Sequence, residues 1–252
     1  MFAGMGEFGA NEVHCWTFTP NQFAVDELST VLSSDEHERA DRFVFEHDRM
    51  EYVVCRGLLR HLLALYGGGP ADSLRFGYTD RGKPFLPANY HRPIEFSVAH
   101  SRGVGLIGLA CGVSVGVDIE EMRPDVHLSS LVSTCFAPEE QAEFASLPKW
   151  LQPRAFYAGW TRKEALIKAT GEGLSRPLQT FAVTIAPDSP PKLIRFNGDP
   201  TAEAKWKIAD LTSDRAFAAA VAVPNAQAIV RRRALSPQLL GLKQKQTQSA
   251  TF

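Results

Sequence analysis

No apolar run in this 252-residue sequence is long enough to span a bilayer. The stretch from Met1 to Asn11 lacks the charged start and apolar centre of a secretory signal. An excess of one charge is also missing. Lys and Arg total 27 against 28 Asp and Glu, a net charge of −1, which argues against a general nucleic-acid binder dependent on basic excess. Arg231-Arg232-Arg233 is a local basic run and reads as a solvated stretch. Cys15, Cys55, Cys111 and Cys135 are scattered, with no Cys-x-x-Cys and no histidines paired at zinc spacing. That pattern gives neither a disulfide framework nor a structural zinc site, and a reducing cytoplasm is the expected compartment.

The residues that are present suit a soluble chain of one large or two small domains, at 44% apolar and 22% charged. Alternation predicts a strand over 12–18. Ser33, Ser34 and Asp35 offer caps for a helix through Phe43. A longer helix over about 48–66 ends at Gly67-Gly68-Gly69-Pro70, and strands follow over 74–78, 94–99 and 104–111. A second pass begins with a strand over 113–120. Pro138 opens a short helix, Pro153 opens a long one that stops at Gly171, and strands return over 180–185, 192–196, 206–211 and 215–223. The order strand, short helix, long helix, strands thus occurs twice. It predicts an α+β fold of two similar halves, related by a pseudo-twofold axis, with a ligand cleft between them. The expected boundaries are a flexible N-terminus over 1–11, halves over 12–112 and 113–225, and a C-terminal tail over 226–252, loose from Leu235 onward.

Two separated segments carry the chemistry. In Gly116-Val-Asp-Ile-Glu120, the period of two puts the carboxylates of Asp118 and Glu120 on one strand face. In Trp160-Thr-Arg-Lys-Glu-Ala-Leu-Ile-Lys168, Glu164 and Lys168 stand one helical turn apart. Alone, an Asp-x-Glu at a strand end is usually a solvated edge, and a Glu–Lys pair of this spacing is usually a surface pair. Brought together, three acids would hold a hard cation, and the lysine suits a phosphate bound to it. The first half adds cations: Arg39, and then Arg49, Arg56 and Arg60 near one face of the long helix. Lys83 sits in the turn Asp80-Arg-Gly-Lys-Pro84, and His100 lies at a strand end. A polyphosphate ligand held by cations from one half and by metal from the other is the expectation.

Gly-Lys-Pro84, Phe96-Ser-Val-Ala-His-Ser101, Gly-Val-Asp-Ile-Glu120 and Trp160-Thr-Arg-Lys-Glu164 with Lys168 resemble the 4′-phosphopantetheinyl transferases. The resemblance is to their pseudo-dimeric, surfactin-type class and runs from about Arg39 to Val223. It implies a holo-[acyl-carrier-protein] synthase activity. Phosphopantetheine would pass from coenzyme A to a serine of an apo acyl or peptidyl carrier protein, releasing 3′,5′-ADP. It implies Mg2+ held by Asp118, Glu120 and Glu164, and Glu164 as base, directly or through a metal-bound water. Lys168 would neutralise the diphosphate, and His100, Arg39, Arg49 and Arg56 would meet the 3′-phosphate. Lys83 and Pro84 would border the adenine, and Trp160 would pack the helix. A monomer without nucleic-acid or membrane partners is expected. Two departures stand out: Ala99 precedes the motif histidine where relatives commonly have Ser, and Glu36 stands where some place a lysine. A non-catalytic coenzyme A or carrier-binding module is the alternative, and a metal-dependent nucleotide hydrolase is a third reading.

Overall fold

The computed structural model describes residues 6–87, 90, 92–123, 128–173, 176–196, 199–211, 214 and 216–245. Strand β1 (Glu12–Phe18) leads through short helices α1 (Val25–Ser29) and α2 (Ser34–Ala40) to the long helix α3 (Glu46–Leu63). The short strands β2 (Gly77–Tyr78) and β3 (Pro84–Phe85) form a hairpin, followed by β4 (Ile94–Ser101) and β5 (Val104–Cys111). Next come β6 (Gly116–Glu121), α4 (Leu128–Cys135), α5 (Pro138–Ser146) and the 19-residue α6 (Gln152–Thr170). The chain continues through β7 (Phe181–Val183), β8 (Leu193–Phe196), α7 (Ala202–Lys205), β9 (Lys207–Asp210), β10 (Phe217–Val223) and β11 (Ile229–Ala234).

Strand alternation explains the layering. On one face of the first sheet, Trp16, Phe18, Phe96, Ile107 and Leu109 pack on Val54, Leu58 and Leu62 of α3. Full burial of each such leucine contributes roughly 1.5–3 kcal/mol. On the opposite face, Val13, Cys15, Leu106 and Ala110 meet Val117, Ile119, Ala219 and Val221 of the second sheet. That sheet turns Ala220, Ala222 and Ile208 towards Ala165, Leu166 and Ala169 of α6. The stack is therefore helix, sheet, sheet, helix.

The two main sheets have the orders β11-β1-β5-β4 and β6-β10-β9. Leaving β11 aside, three strands in each follow one pattern, the first pairing antiparallel with the third and the third with the second: β1-β5-β4 and β6-β10-β9. In both sets a long helix, α3 or α6, separates the first strand from the others. Serine hydroxyls stitch β4 to β6: Ser97 Oγ accepts from the Val117 N–H and Ser101 Oγ from the Glu121 N–H, each at 3.1 Å.

The structure departs from the sequence expectations at both ends. Residues 229–234, expected only as the start of the C-terminal tail, form strand β11, paired parallel to β1. Arg231 bonds Glu12 at 2.6 Å, the Arg233 guanidinium lies over the Trp16 ring, and Leu235 is buried. Arginine stems can cover apolar surface while their heads stay wet, so this strand has no apolar alternation to read. At the other end Phe8, inside the segment expected to be flexible, packs on the rings of Tyr66 and His14. The expected strand over 74–78 shrinks to two residues, and helices α1 and α4 were not anticipated.

Candidate active site

Gly116 explains how the second half of the site is built. A Cβ at this position would lie 2.0 Å from the Ala165 carbonyl oxygen and 2.4 Å from the Ala169 nitrogen. Only glycine allows α6 to lie this close against β6. That contact faces Asp118, two residues along the strand, towards the α6 surface bearing Glu164 and Lys168. Two ion pairs, each with its cation fully buried, fix the helix from its other sides. Lys163 Nζ donates to Glu140 Oε2 at 2.5 Å and to the Phe181 carbonyl at 2.7 Å. Arg162 forms a two-pronged pair with Asp210 at 2.9 and 2.6 Å. The two residues preceding Glu164 are thus anchors for α6, and the ring of Trp160 stacks on Phe156.

Asp118 is 6% exposed. Burial pushes its carboxyl up to about 7; Lys168 opposes this, and the charges of Glu120 and Glu164 add to it. Its Oδ1 accepts from Lys168 Nζ at 2.7 Å, whereas Oδ2 is buried with no hydrogen-bond partner among the described residues. Burial and Glu120 raise the carboxyl of Glu164 as well, against the pull of Lys168. Glu120 accepts from Ser101 Oγ at 3.0 Å. Among the described residues no three acid, histidine or cysteine side chains converge as a ready-made metal ligand set. The expected trio of Asp118, Glu120 and Glu164 is near but not closed. Three like charges repel, and the ammonium of Lys168 takes the position against Asp118. The donor set still fits a hard cation: Asp118 Oδ2 is an orphaned buried oxygen, and the acids around it destabilise its charge unless a cation compensates.

Glu164 and Lys168 open onto a cavity of about 440 Å³ shared with the first half, and Asp118 lies behind it, bonded to Lys168. Arg39, Arg56, Lys83, Pro84 and His100 line it alongside Glu164 and Lys168. His100, half exposed, has Nδ1 3.5 Å from Glu51 Oε1. Arg56 is buried, its Nε 3.5 Å from Glu36, and its Nη1 has no partner among the described residues. The cations of the long helix divide three ways. Arg49 turns away from the cavity to Glu46 at 2.6 Å. Arg60 is fully buried and spent on Glu36, Ser33 and two carbonyls. Glu36, in turn, belongs to the N-cap of α2, where it accepts from the Ser33 N–H at 3.0 Å. It therefore serves the scaffold. Ala99 is buried between the two sheets and does not line the cavity, so its missing hydroxyl removes no contact there. Sequence reading missed Tyr52, also on the cavity wall; its place one helical turn before Arg56 was the available signal.

A cleft lined by cations and Glu164, with the buried Asp118–Lys168 pair behind it, suits a ligand that carries phosphate. Comparison with known proteins agrees. The family model for the 4′-phosphopantetheinyl transferase superfamily matches residues 114–222, and that for the N-terminal region of 4′-phosphopantetheinyl transferase matches residues 14–109. The chain is 35% identical to the 4′-phosphopantetheinyl transferase HetI of Nostoc sp., over 85% of this chain and 88% of that protein. It is 30% identical to a 4′-phosphopantetheinyl transferase of Bacillus subtilis, over 65% of this chain and 70% of the relative. A solved holo-[acyl-carrier-protein] synthase of Thermotoga maritima aligns with 46% of this chain and 64% of its own, at 22% identity and a TM-score of 0.37. The chain belongs to the 4′-phosphopantetheinyl transferase superfamily.

Proposed function

We propose that this chain transfers the 4′-phosphopantetheine group of coenzyme A to a serine of an apo acyl or peptidyl carrier protein. One observation carries the reading: in a chain of this family, cations from one half line a single cavity with Glu164 and Lys168 from the other, and Lys168 is bonded to the buried Asp118. Asp118, Glu120 and Glu164 would hold Mg2+, which when bound would neutralise the charge of the coenzyme A diphosphate. Lys168 Nζ, 2.7 Å from Asp118, stands where it can follow the charge onto the leaving 3′,5′-ADP. Glu164, its carboxyl raised by burial, is the base that takes the proton of the carrier serine. Arg39, Arg56 and His100 would meet the 3′-phosphate, and Pro84 would border the adenine; Arg49, paired with Glu46, is left out of this set. The two halves, divided near residue 112, would be related by a pseudo-twofold axis.

The test is chromatographic release of 3′,5′-ADP from coenzyme A and magnesium, with and without an apo carrier protein. Release that requires the carrier is expected. Release in its absence would favour a hydrolase, and coenzyme binding with no release would favour a binding module.

A further inference from the structure

Lys83 lies in the cavity wall, but its ammonium is already engaged. Nζ donates at 2.7 Å to the main-chain carbonyl of Lys168, in the last turn of α6. That carbonyl is one of the four that a helix end leaves without an intrahelical partner. The carbonyl before it, that of Ile167, is satisfied locally by the Gly171 N–H and by Thr170 Oγ1. The Lys168 carbonyl is instead satisfied from the opposite half of the molecule. A cation at a helix C-terminus also meets the negative end of the helix dipole.

The hairpin turn that carries Lys83 is built to hold it there. Gly82 has φ +76, its N–H donates to the Thr79 carbonyl at 2.8 Å, and Thr79 Oγ1 accepts from the Lys83 N–H at 3.1 Å. One residue before the glycine, Arg81 donates to the Glu172 carbonyl, just beyond the end of α6. The turn between β2 and β3 therefore clasps the end of α6 at two carbonyls. Lys168 is the residue held twice: by its carbonyl through Lys83, and by its ammonium through Asp118 at 2.7 Å.

We propose that Lys83 is a positioning residue, which sets the last turn of α6 and through it the reach of the Lys168 ammonium into the site. The proposal rests on the transferase reading given above. Gly-Lys-Pro84 then matters less for what its lysine offers a ligand than for the helix end it holds. The clasp also makes the second half's site depend on a turn supplied by the first.

The experiment compares Lys83→Met, which keeps the stem and removes the donor, with Lys83→Arg, which keeps a donor. Carrier modification is followed in steady state, and coenzyme A binding by calorimetry. For K83M, kcat should fall about tenfold to a hundredfold, the scale of a misplaced catalytic group, while the coenzyme dissociation constant moves less than about threefold. K83R should recover most of kcat. In a Lys168→Met background, K83M should cost little more, because two residues acting through one group are not additive. A dissociation constant that rises as much as kcat/KM falls, full additivity with K168M, or an unchanged kcat would each overturn the proposal. Should K83M fail to fold, Lys83→Gln, a weaker donor of similar length, gives the same readouts. Wild-type protein that modifies no carrier would overturn the transferase reading instead, which separates the two failures.

Discussion

Replacing Asp118 with asparagine should stabilise the protein under conditions that favour the ionised carboxylate, while abolishing its response to magnesium. Burial holds this carboxyl at about 7 instead of 3.8. With magnesium chelated, keeping Asp118 ionised at pH 8 costs the folded state on the order of 4 kcal/mol. The sign follows from the raised value. Well below pH 3.8 the side chain is neutral in both folded and unfolded chains, so it costs nothing. Between about pH 4 and 7 the folded protein holds a proton that the unfolded chain has already released, so stability falls across that window and levels off above it. Asparagine is neutral throughout and escapes that loss. In EDTA at pH 8, D118N should therefore melt higher than wild type by roughly 8–16 °C for a chain of this size, and the gap should narrow towards pH 4.5. Magnesium should raise the wild-type midpoint at pH 8 more than at pH 5.5, where protons compete for the carboxylate, and should not move D118N. The assay is a set of thermal melts at those pH values, with and without magnesium. A D118N protein that melts below wild type at pH 8, or still responds to magnesium, would refute both the burial account and the metal assignment.

Glu164→Gln should lower kcat far more than it weakens coenzyme A binding, since a base acts only as the proton moves; equal losses in both would make it a binding group. Ala99→Ser places a hydroxyl between the sheets and not in the cavity, so coenzyme affinity should stay within about twofold while stability falls by about 1–3 kcal/mol. A large affinity change, measured by calorimetry, would mean that this side chain faces the ligand. Gly116→Ala must push α6 off β6, because its Cβ would lie 2.0 Å from a carbonyl oxygen. Lost activity with a melting point lowered well beyond 5 °C is expected, and an unperturbed enzyme would contradict the close approach.

The acid-bearing part of the site was legible because its geometry is local. A strand period of two and a helical turn of four residues place Asp118, Glu120, Glu164 and Lys168 on known faces before any fold is assumed. What remained hidden depends on contacts across long sequence separations. Arg49, Arg56 and Arg60 are similar on a helical projection, yet they end in solvent, in the cavity wall and in the core respectively. Glu36 contacts both of the last two, and what sets Arg60 apart is its further bonds to Ser33 and to the Ala71 and Leu74 carbonyls. Lys83 was legible as a residue in a glycine turn; its bond to a carbonyl 85 positions away was not. β11 escaped notice because its partner is the first strand of the chain and its outward residues are arginines. Ala99, next to the motif histidine, points to the opposite strand face and packs between the sheets.

The most direct measurement is the intact mass of an apo acyl or peptidyl carrier protein after incubation with this chain, coenzyme A and magnesium. A gain of one phosphopantetheinyl group, lost when the carrier serine is replaced by alanine and suppressed by EDTA, is the predicted result. No gain on any of several carrier types, from a protein that binds coenzyme A, would contradict the account.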